Sequence, residues 1–399
     1  MSDPRPCLFS DDQVNVELLR QRAYNGRWAM QPAGVIPLTA ADPDFPVAPE
    51  IRAAITDYVA GGYLSYGPPE GLPEFREIMA ATIGSRKRIP VSPGLILPTN
   101  SAAAAMFLVA RYALAPGDEA ILFDPVDFLF GAAVDAAGGR RVYSPVDKAQ
   151  GQFDLDGLAA LITPRTRLLC LCNPHNPLGR VLRQDELAAL GELAVEHDLT
   201  IMSDEIWSDV VYPPHEHTSI ASLDAGIAAR TISIYGLSKS HGLAGLRVGF
   251  LAAPDPKTFD ALVDLSRVQT TAEGVSTLSQ VAAVVAYRDC WYWVDALLQH
   301  LTAVRDYAVA RLNAMPGVRC TSPEGTYVLF PDVTGTGMSS AQAASYLLEE
   351  AHVAVVPGLP RWFGPGAEGN IRLCFSTSMG IVRTALDRME QALARRNSQ

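Results

Sequence analysis

Ser233-Ile234-Tyr235-Gly236-Leu237-Ser238-Lys239-Ser240-His241-Gly242-Leu243-Ala244-Gly245-Leu246-Arg247-Val248-Gly249 runs from an apolar, strand-like segment into a small-residue turn that presents one lysine. Most lysines are solvated surface charges. A lysine that follows a buried run loses basicity through desolvation and can act as a neutral amine toward a carbonyl cofactor. Arg247, in the same stretch, offers a guanidinium suited to a phosphate. A desolvated lysine with a phosphate clamp predicts pyridoxal 5'-phosphate (PLP).

Outward from this stretch, between roughly 94 and 252, short apolar runs alternate with amphipathic helical stretches. Strands are expected at 95–99, 119–124, 141–144, 167–172, 200–204, 231–235 and 247–252, with helices such as 102–113, 130–137 and 184–196 between them. This alternation predicts a mostly parallel sheet covered on both faces. The expected fold class is α/β: a three-layer, mostly parallel seven-stranded sheet followed by a smaller α+β C-terminal domain. Ligands of such sheets sit beyond the carboxyl ends of the strands. Asn100, Asp124, Asn173, Asp204 and Lys239 fall at or just past strand ends and are expected to converge. After about 254 the pattern changes: 280–312 reads as a long helix, and further strands are expected at 327–330, 353–356 and 370–375. The aromatic group Trp291-Tyr292-Trp293 reads as core or subunit interface. The expected division is an N-terminal arm, 1–45, joining the small domain; a large PLP-binding domain, 46–285; and a small C-terminal domain, 286–399.

The 399 residues suit one large and one smaller domain. Hydrophobic residues make up 48% and charged residues 19%, the composition of a packed globular chain. A net charge of −11 argues against nucleic acid or an anionic membrane as partner. The start, Met1-Ser2-Asp3-Pro4-Arg5-Pro6, lacks the basic and apolar regions of a signal peptide. Cysteines stand at 7, 170, 172, 290, 320 and 374, with no CxxC pair. Cys170 and Cys172, two apart on an expected strand, share a face and do not readily bridge. All are read as reduced thiols of a cytoplasmic protein.

Asp204 closes the run Leu199-Thr200-Ile201-Met202-Ser203-Asp204-Glu205. A buried carboxylate needs a partner. It suits a helix N-cap or an ion pair with a protonated pyridine nitrogen, which keeps the ring an electron sink. Lys239 at the end of another strand favours the ion pair. The turn Asn173-Pro174-His175-Asn176-Pro177-Leu178-Gly179-Arg180 is rigid, and Asn176 is read as the donor to the cofactor's phenolic oxygen. In Thr99-Asn100-Ser101-Ala102-Ala103-Ala104 a strand leads into a helix whose first N–H groups suit a phosphate, so Ser101 and Ala102 join Arg247 in one clamp. Arg372, a charge within the apolar pattern Asn370-Ile371-Arg372-Leu373-Cys374-Phe375-Ser376, reads as a bidentate clamp on a substrate carboxylate, or else as a surface-paired edge arginine. His215-Glu216-His217 reads as a solvated loop with no third ligand, so no metal is expected. Asp154 and Asp156 look like helix caps.

Together these motifs resemble fold-type I PLP enzymes of the class I/II aminotransferase superfamily, over about residues 35–380. The resemblance implies that Lys239 is the lysine that bonds to the cofactor, Asp204 the pyridinium partner and Arg247 the phosphate arginine. It implies that Asn176 meets the phenolic oxygen and Arg372 the substrate α-carboxylate. Tyr66, in Ser65-Tyr66-Gly67-Pro68-Pro69-Glu70-Gly71, looks like the tyrosine that reaches the phosphate in the neighbouring subunit's site, implying a homodimer with shared active sites. Two segments look more like the cystathionine β-lyase branch called MalY/PatB: Ala41-Asp42-Pro43-Asp44-Phe45 with Ala48-Pro49-Glu50-Ile51, and 172–181 together with 203–209 and 212–218. The sequence departs from the superfamily at three places. Trp207 replaces a tyrosine, Asp127-Phe128 stands where an aromatic often stacks on the ring, and Gly236 replaces a hydroxyl residue at the phosphate, leaving Ser238 and the helix amides to compensate. Phe128 and Trp207 are therefore counted with the expected cofactor contacts.

The leading functional expectation is a C–S β-lyase acting on a cysteine S-conjugate or cystathionine-like amino acid. The alternative is an aminotransferase, and a minor one is decarboxylating or oxidative deamination. All begin with removal of the Cα proton by Lys239. A sensor module of a transcriptional regulator is disfavoured, because such modules follow a basic helix-turn-helix domain and this chain is acidic.

Overall fold

The computed structural model describes residues 8–397. In chain order its strands are β1 (Ile36–Pro37), β2 (Ile96–Thr99), β3 (Glu119–Asp124), β4 (Arg140–Asp147), β5 (Gln152–Phe153), β6 (Thr166–Cys172), β7 (Thr200–Asp204), β8 (Thr231–Gly236), β9 (Gly249–Ala252), β10 (Val328–Leu329), β11 (Val353–Ala354), β12 (Val356–Pro357) and β13 (Ile371–Cys374). Among the described residues, eight of them form one sheet in the order β2-β9-β8-β7-β6-β3-β4-β5. The pairs β3–β4, β3–β6, β6–β7 and β7–β8 are parallel, while β9 is antiparallel to both β8 and β2. The seven expected strands are all present. The eighth, β5, is a two-residue antiparallel addition to the end of β4, too short to show a period of its own.

Every residue of β3, β8 and β9 is buried, as a sheet covered on both faces requires. Alternate residues of β6 serve opposite layers. Leu168, Cys170 and Cys172 pack with Ala105, Met106, Phe130 and Leu262. Leu169 and Leu171 pack with Leu158, Leu187 and Leu190. Cys170 and Cys172 thus share a face, and the described cysteines, at 170, 172, 290, 320 and 374, are all free and buried. Cys7 lies outside the described residues.

The helix expected at 130–137 is Phe128–Ala136, because the Asp127 Oδ1 accepts the Leu129 N–H (3.1 Å) and starts it earlier. Asp154 caps Leu155–Leu161 through the Gly157 N–H (2.9 Å), while Asp156 lies in that helix's first turn. The stretch expected as one long helix is two, Thr277–Asp289 and Trp291–Ala314, parted at Cys290. No proline or glycine marks the break. Side chains beside it are anchored elsewhere: the Trp293 indole N–H donates to the Pro46 carbonyl (3.2 Å) and the Tyr292 hydroxyl to Glu50 (2.8 Å). Trp293 is buried, in keeping with a core role for that aromatic group.

Beyond the large sheet, β10, β13 and β12 form an antiparallel sheet, and β1 pairs in parallel with β11. The early chain is therefore tied to the late chain. A buried ion pair fixes the intervening arm: Arg27 binds Asp44 and donates to the Ala40 carbonyl (2.6 Å), and the Trp28 indole N–H donates to Asp44 (2.9 Å). The Ser376 hydroxyl donates to the Asp42 carbonyl (3.2 Å). These bonds hold Ala41 and Asp42 over the carboxyl end of β8.

Candidate active site

The parallel strands present their carboxyl ends on one side. Asp204 ends β7, Lys239 follows β8, the Asn173–Arg180 turn follows β6, and Ser101 follows β2. Arg372 arrives from β13. Lys239 is half-buried, and its amine donates to the Ala41 carbonyl (2.6 Å) and lies 5.2 Å from the centre of the Trp207 ring. Burial pushes the Lys239 amine below its ordinary value, with Arg372 pushing the same way and Asp42 opposing. Asp204 is buried, and burial raises its carboxyl to about 7, with Asp127 adding to the rise and Lys239 opposing it. One Asp204 oxygen accepts the Ile206 N–H (3.1 Å); the other receives no donor among the described residues.

Glu205 follows Asp204 but points to the opposite face of the strand. It accepts hydrogen bonds from Ser203 (3.1 Å), Tyr235 (3.0 Å) and Ser219. His217 lies 3.7 Å from it, in a buried position where desolvation lowers the imidazole to about 3. The expectation of a solvated His215–His217 loop is thus corrected for His217, whose ring packs into this internal network. Among the described residues no cluster of His, Cys, Asp or Glu is arranged to hold a metal.

Arg372 is buried and lies against the Phe363 ring, 5.0 Å from its centre. It donates to the Asn176 side-chain oxygen Oδ1 (3.2 Å) and the Thr39 backbone carbonyl (3.3 Å), while its Nε has no acceptor among the described residues. Desolvation lowers the basicity of its guanidinium. It is therefore an inward-facing arginine with donor capacity to spare, not an edge residue paired at the surface. Asn176 turns its amide N–H toward Asp127 Oδ2 (2.9 Å), and Arg372 lies 3.8 Å from that oxygen. Asp127, not Phe128, is the neighbour of this cluster. Phe128 is 41% exposed and sets its ring edge-on to Trp362, because Asp127 is committed to capping the helix that Phe128 begins.

Ser101 caps the helix Ala102–Ala113 by accepting the Ala104 N–H (3.0 Å). Ala102 and Ala103 open that helix, where N–H groups have no carbonyl one turn earlier. Gly249 packs so close that a Cβ there would come within 2.6 Å of the Ala102 nitrogen. Arg247 is not on the expected strand. It ends the Ala244–Leu246 turn in a left-handed conformation (φ 52°), exposed and without a side-chain partner among the described residues. Ser238 is half-buried beside Lys239. Trp207 is buried edge-on to Tyr327, with ring centres 4.6 Å apart. Tyr66 is 92% exposed.

Two other strand-end residues, Asp124 and Asn173, have structural tasks. The Asp124 carboxylate accepts the Gly366 N–H (2.7 Å). The Asn173 side chain donates to the Thr218 carbonyl (3.1 Å) and accepts from Leu182 (3.0 Å). Asn100 is exposed. Asp42 and Asp127 are the members of the constellation absent from the expected site, although both stand in motifs that departed from or subdivided the resemblance.

The donor set suits PLP. A pyridinium N–H matches the unbonded Asp204 oxygen, and the helix start with the unpaired Arg247 matches a phosphate. The sequence pattern described as aminotransferase class I and II matches residues 33–389. The chain belongs to this family. It is a PLP-dependent enzyme of fold type I. An aspartate aminotransferase from Pyrococcus abyssi is 34% identical over 363 residues, covering 90% of this chain and 92% of that protein. The aromatic aminotransferase structure from Pyrococcus horikoshii OT3 superposes with a TM-score of 0.86 at 31% identity, over 96% of this chain and 100% of the other. A PLP-bound structure from Clostridium difficile 630 is 26% identical with a TM-score of 0.85, covering 96% of each chain. Cystalysin from Treponema denticola has a TM-score of 0.87 at 23% identity, over 94% of this chain and 97% of its own, and shares the fold.

The names of these relatives support the aminotransferase alternative better than the leading expectation of a C–S β-lyase. The physical reason lies in what the MalY/PatB-like segments build. They form the arm over Lys239, the Asn176 turn and the Asp204 strand end. Elimination and transamination need these parts alike.

Proposed function

We propose that this enzyme is an aminotransferase that moves the amino group of an L-amino acid to a 2-oxo acid. The observation that carries the reading is one buried, charge-coupled cluster of the desolvated Lys239 amine, the Arg372 guanidinium and the raised Asp204 carboxyl. The aminotransferase names of relatives above 30% identity support transfer over elimination.

PLP supplies a carbonyl carbon that takes up the amino group and a ring that stores an electron pair. Arg372 binds the substrate α-carboxylate through the guanidinium edge left free by Asn176 and Thr39. Lys239, whose lowered basicity favours the neutral amine, would accept the Cα proton and deliver it to the carbon that takes up the amino group. Asp204 holds the proton of the ring nitrogen, and its unbonded oxygen is the acceptor. Asn176 steadies the phenolic oxygen. The phosphate is held by Ser101, Ala102, Ser238 and Arg247. Trp207 walls in the lysine, and the Ala41–Asp42 segment shields it from water.

A homodimer with shared sites completes this reading, with Tyr66 reaching the phosphate of the neighbouring subunit. The loop that carries it leaves Tyr63, Leu64 and Tyr66 at 85%, 68% and 92% exposure, an apolar surface suited to burial against a second copy. The division into arm 1–45, large domain 46–285 and small domain 286–399 is proposed on the pairing of β1 with β11. A cytoplasmic setting is supported by the buried free thiols.

The test is product analysis without a 2-oxo acid acceptor, using a cysteine S-conjugate and ordinary amino acids as donors. The expected result is one equivalent of oxo acid per site, then arrest until an acceptor is added. Continuous release of pyruvate, ammonia and thiol would instead establish a lyase. Continuous release of carbon dioxide or consumption of oxygen would establish the decarboxylating or oxidative reaction.

A further inference from the structure

Asp127 is fixed from three directions. Its Oδ1 accepts the Leu129 N–H (3.1 Å), its Oδ2 accepts the Asn176 amide (2.9 Å), and its own N–H donates to the Asn176 carbonyl (3.2 Å). It is the N-cap of the helix Phe128–Ala136. Asp127 Oδ2 stands 3.8 Å from the Arg372 guanidinium. Asp42 lies close enough to Lys239 to oppose the loss of its basicity, and Asp204 lines the same pocket.

A bound pyridinium would offset Asp204, and Arg247 with the helix start would offset the phosphate. Asp42, whose carboxyl burial raises, is shared between Arg27 and Lys239, and Asp127 remains beside Arg372. A substrate α-carboxylate on Arg372 adds one negative charge that the guanidinium shares with Asp127. A second carboxylate, on the substrate side chain, finds no further cation among the described residues of this subunit's cluster. Like charges a few ångströms apart in a poorly solvated pocket repel strongly. A side-chain amide, hydroxyl or ammonium, by contrast, can donate to the remaining lone pairs of Asp127.

We infer that Asp127 determines specificity: it excludes amino donors with acidic side chains and selects polar side chains that donate a hydrogen bond. This inference rests on the aminotransferase reading and names the substrate class of that same site. It would set this chain apart from the relatives named for aspartate.

The test compares holoenzyme with Asp127→Asn and Asp127→Ser, both of which keep a side chain able to cap the helix. Two readouts are taken. One is kcat/KM for the near-isosteric pairs glutamine and glutamate, and asparagine and aspartate. The other is the calorimetric dissociation constant of succinate against its monoamide, which needs no turnover. The native enzyme is expected to favour the amide by about tenfold or more in both, and Asp127→Asn to shrink the preference to within about threefold, the scale of removing one nearby like charge. Native enzyme that favours the acid, or a preference unchanged in both variants, overturns the inference while leaving amino-group transfer intact. Native protein that transfers no amino group from any donor overturns the functional reading and the inference together.

Discussion

Asp204 and Lys239 depart from their ordinary acidities in opposite directions for one reason: each is enclosed, and enclosure disfavours charge. For Asp204 the consequence is measurable. Its folded value, about 7, exceeds the ordinary 3.8, so burial of the neutral carboxyl adds stability in full below about pH 4, and this is lost as pH rises toward 7. In protein stripped of PLP, Asp204→Asn should therefore gain stability over the native chain between pH 4.5 and pH 8, by an amount on the order of a few kcal/mol. Thermal melts at the two pH values check this. A constant difference between the two proteins would show that Asp204 is not desolvated as described. Adding PLP should abolish the dependence, because a pyridinium pairs with the charged form. Lys239, Asp204, Asn176 and Arg372 are legible in the sequence because each sets a polar group into an apolar run or a proline-rich turn. Asp42 and Asp127 are not, because their significance comes from partners distant in sequence: Lys239 for Asp42, and Asn176 and Arg372 for Asp127.

At the scale of elements, the phosphate end of the site depends on how closely β9 approaches the helix Ala102–Ala113. Gly249 permits that approach, since a Cβ would meet the backbone of Ser101 and Ala102 at 2.7 and 2.6 Å. Backbone cannot rotate away as a side-chain tip can. Gly249→Ala is expected to cost about 1–3 kcal/mol of stability and to weaken PLP retention together. Denaturant unfolding and equilibrium dialysis against PLP measure the two effects, and normal retention would separate the phosphate turn from this packing. The strands of the large sheet are readable because alternation with helices and continuous apolar runs leave few alternatives. The break at Cys290 is not readable, since no helix-breaking residue marks it. The left-handed Arg247 also escapes a reading by periodicity, because the approach of Gly249 to the helix is a tertiary contact that delays the start of β9.

At the scale of the molecule, the site exists only where three parts of the chain meet. The sheet supplies Asp204, Asn176 and Lys239, the arm held by the Arg27–Asp44 pair supplies the Ala41–Asp42 cover, and β13 supplies Arg372. The pairing of β1 with β11 joins the arm to the late chain, so cover and carboxylate clamp share one support. We propose that this junction places PLP on Lys239. Borohydride reduction of the holoenzyme, digestion and peptide mass spectrometry test it most directly. The predicted result is one cofactor adduct, on the peptide containing Lys239, absent from Lys239→Ala along with the visible absorbance. An adduct on another lysine, or an unchanged spectrum in Lys239→Ala, would contradict the account.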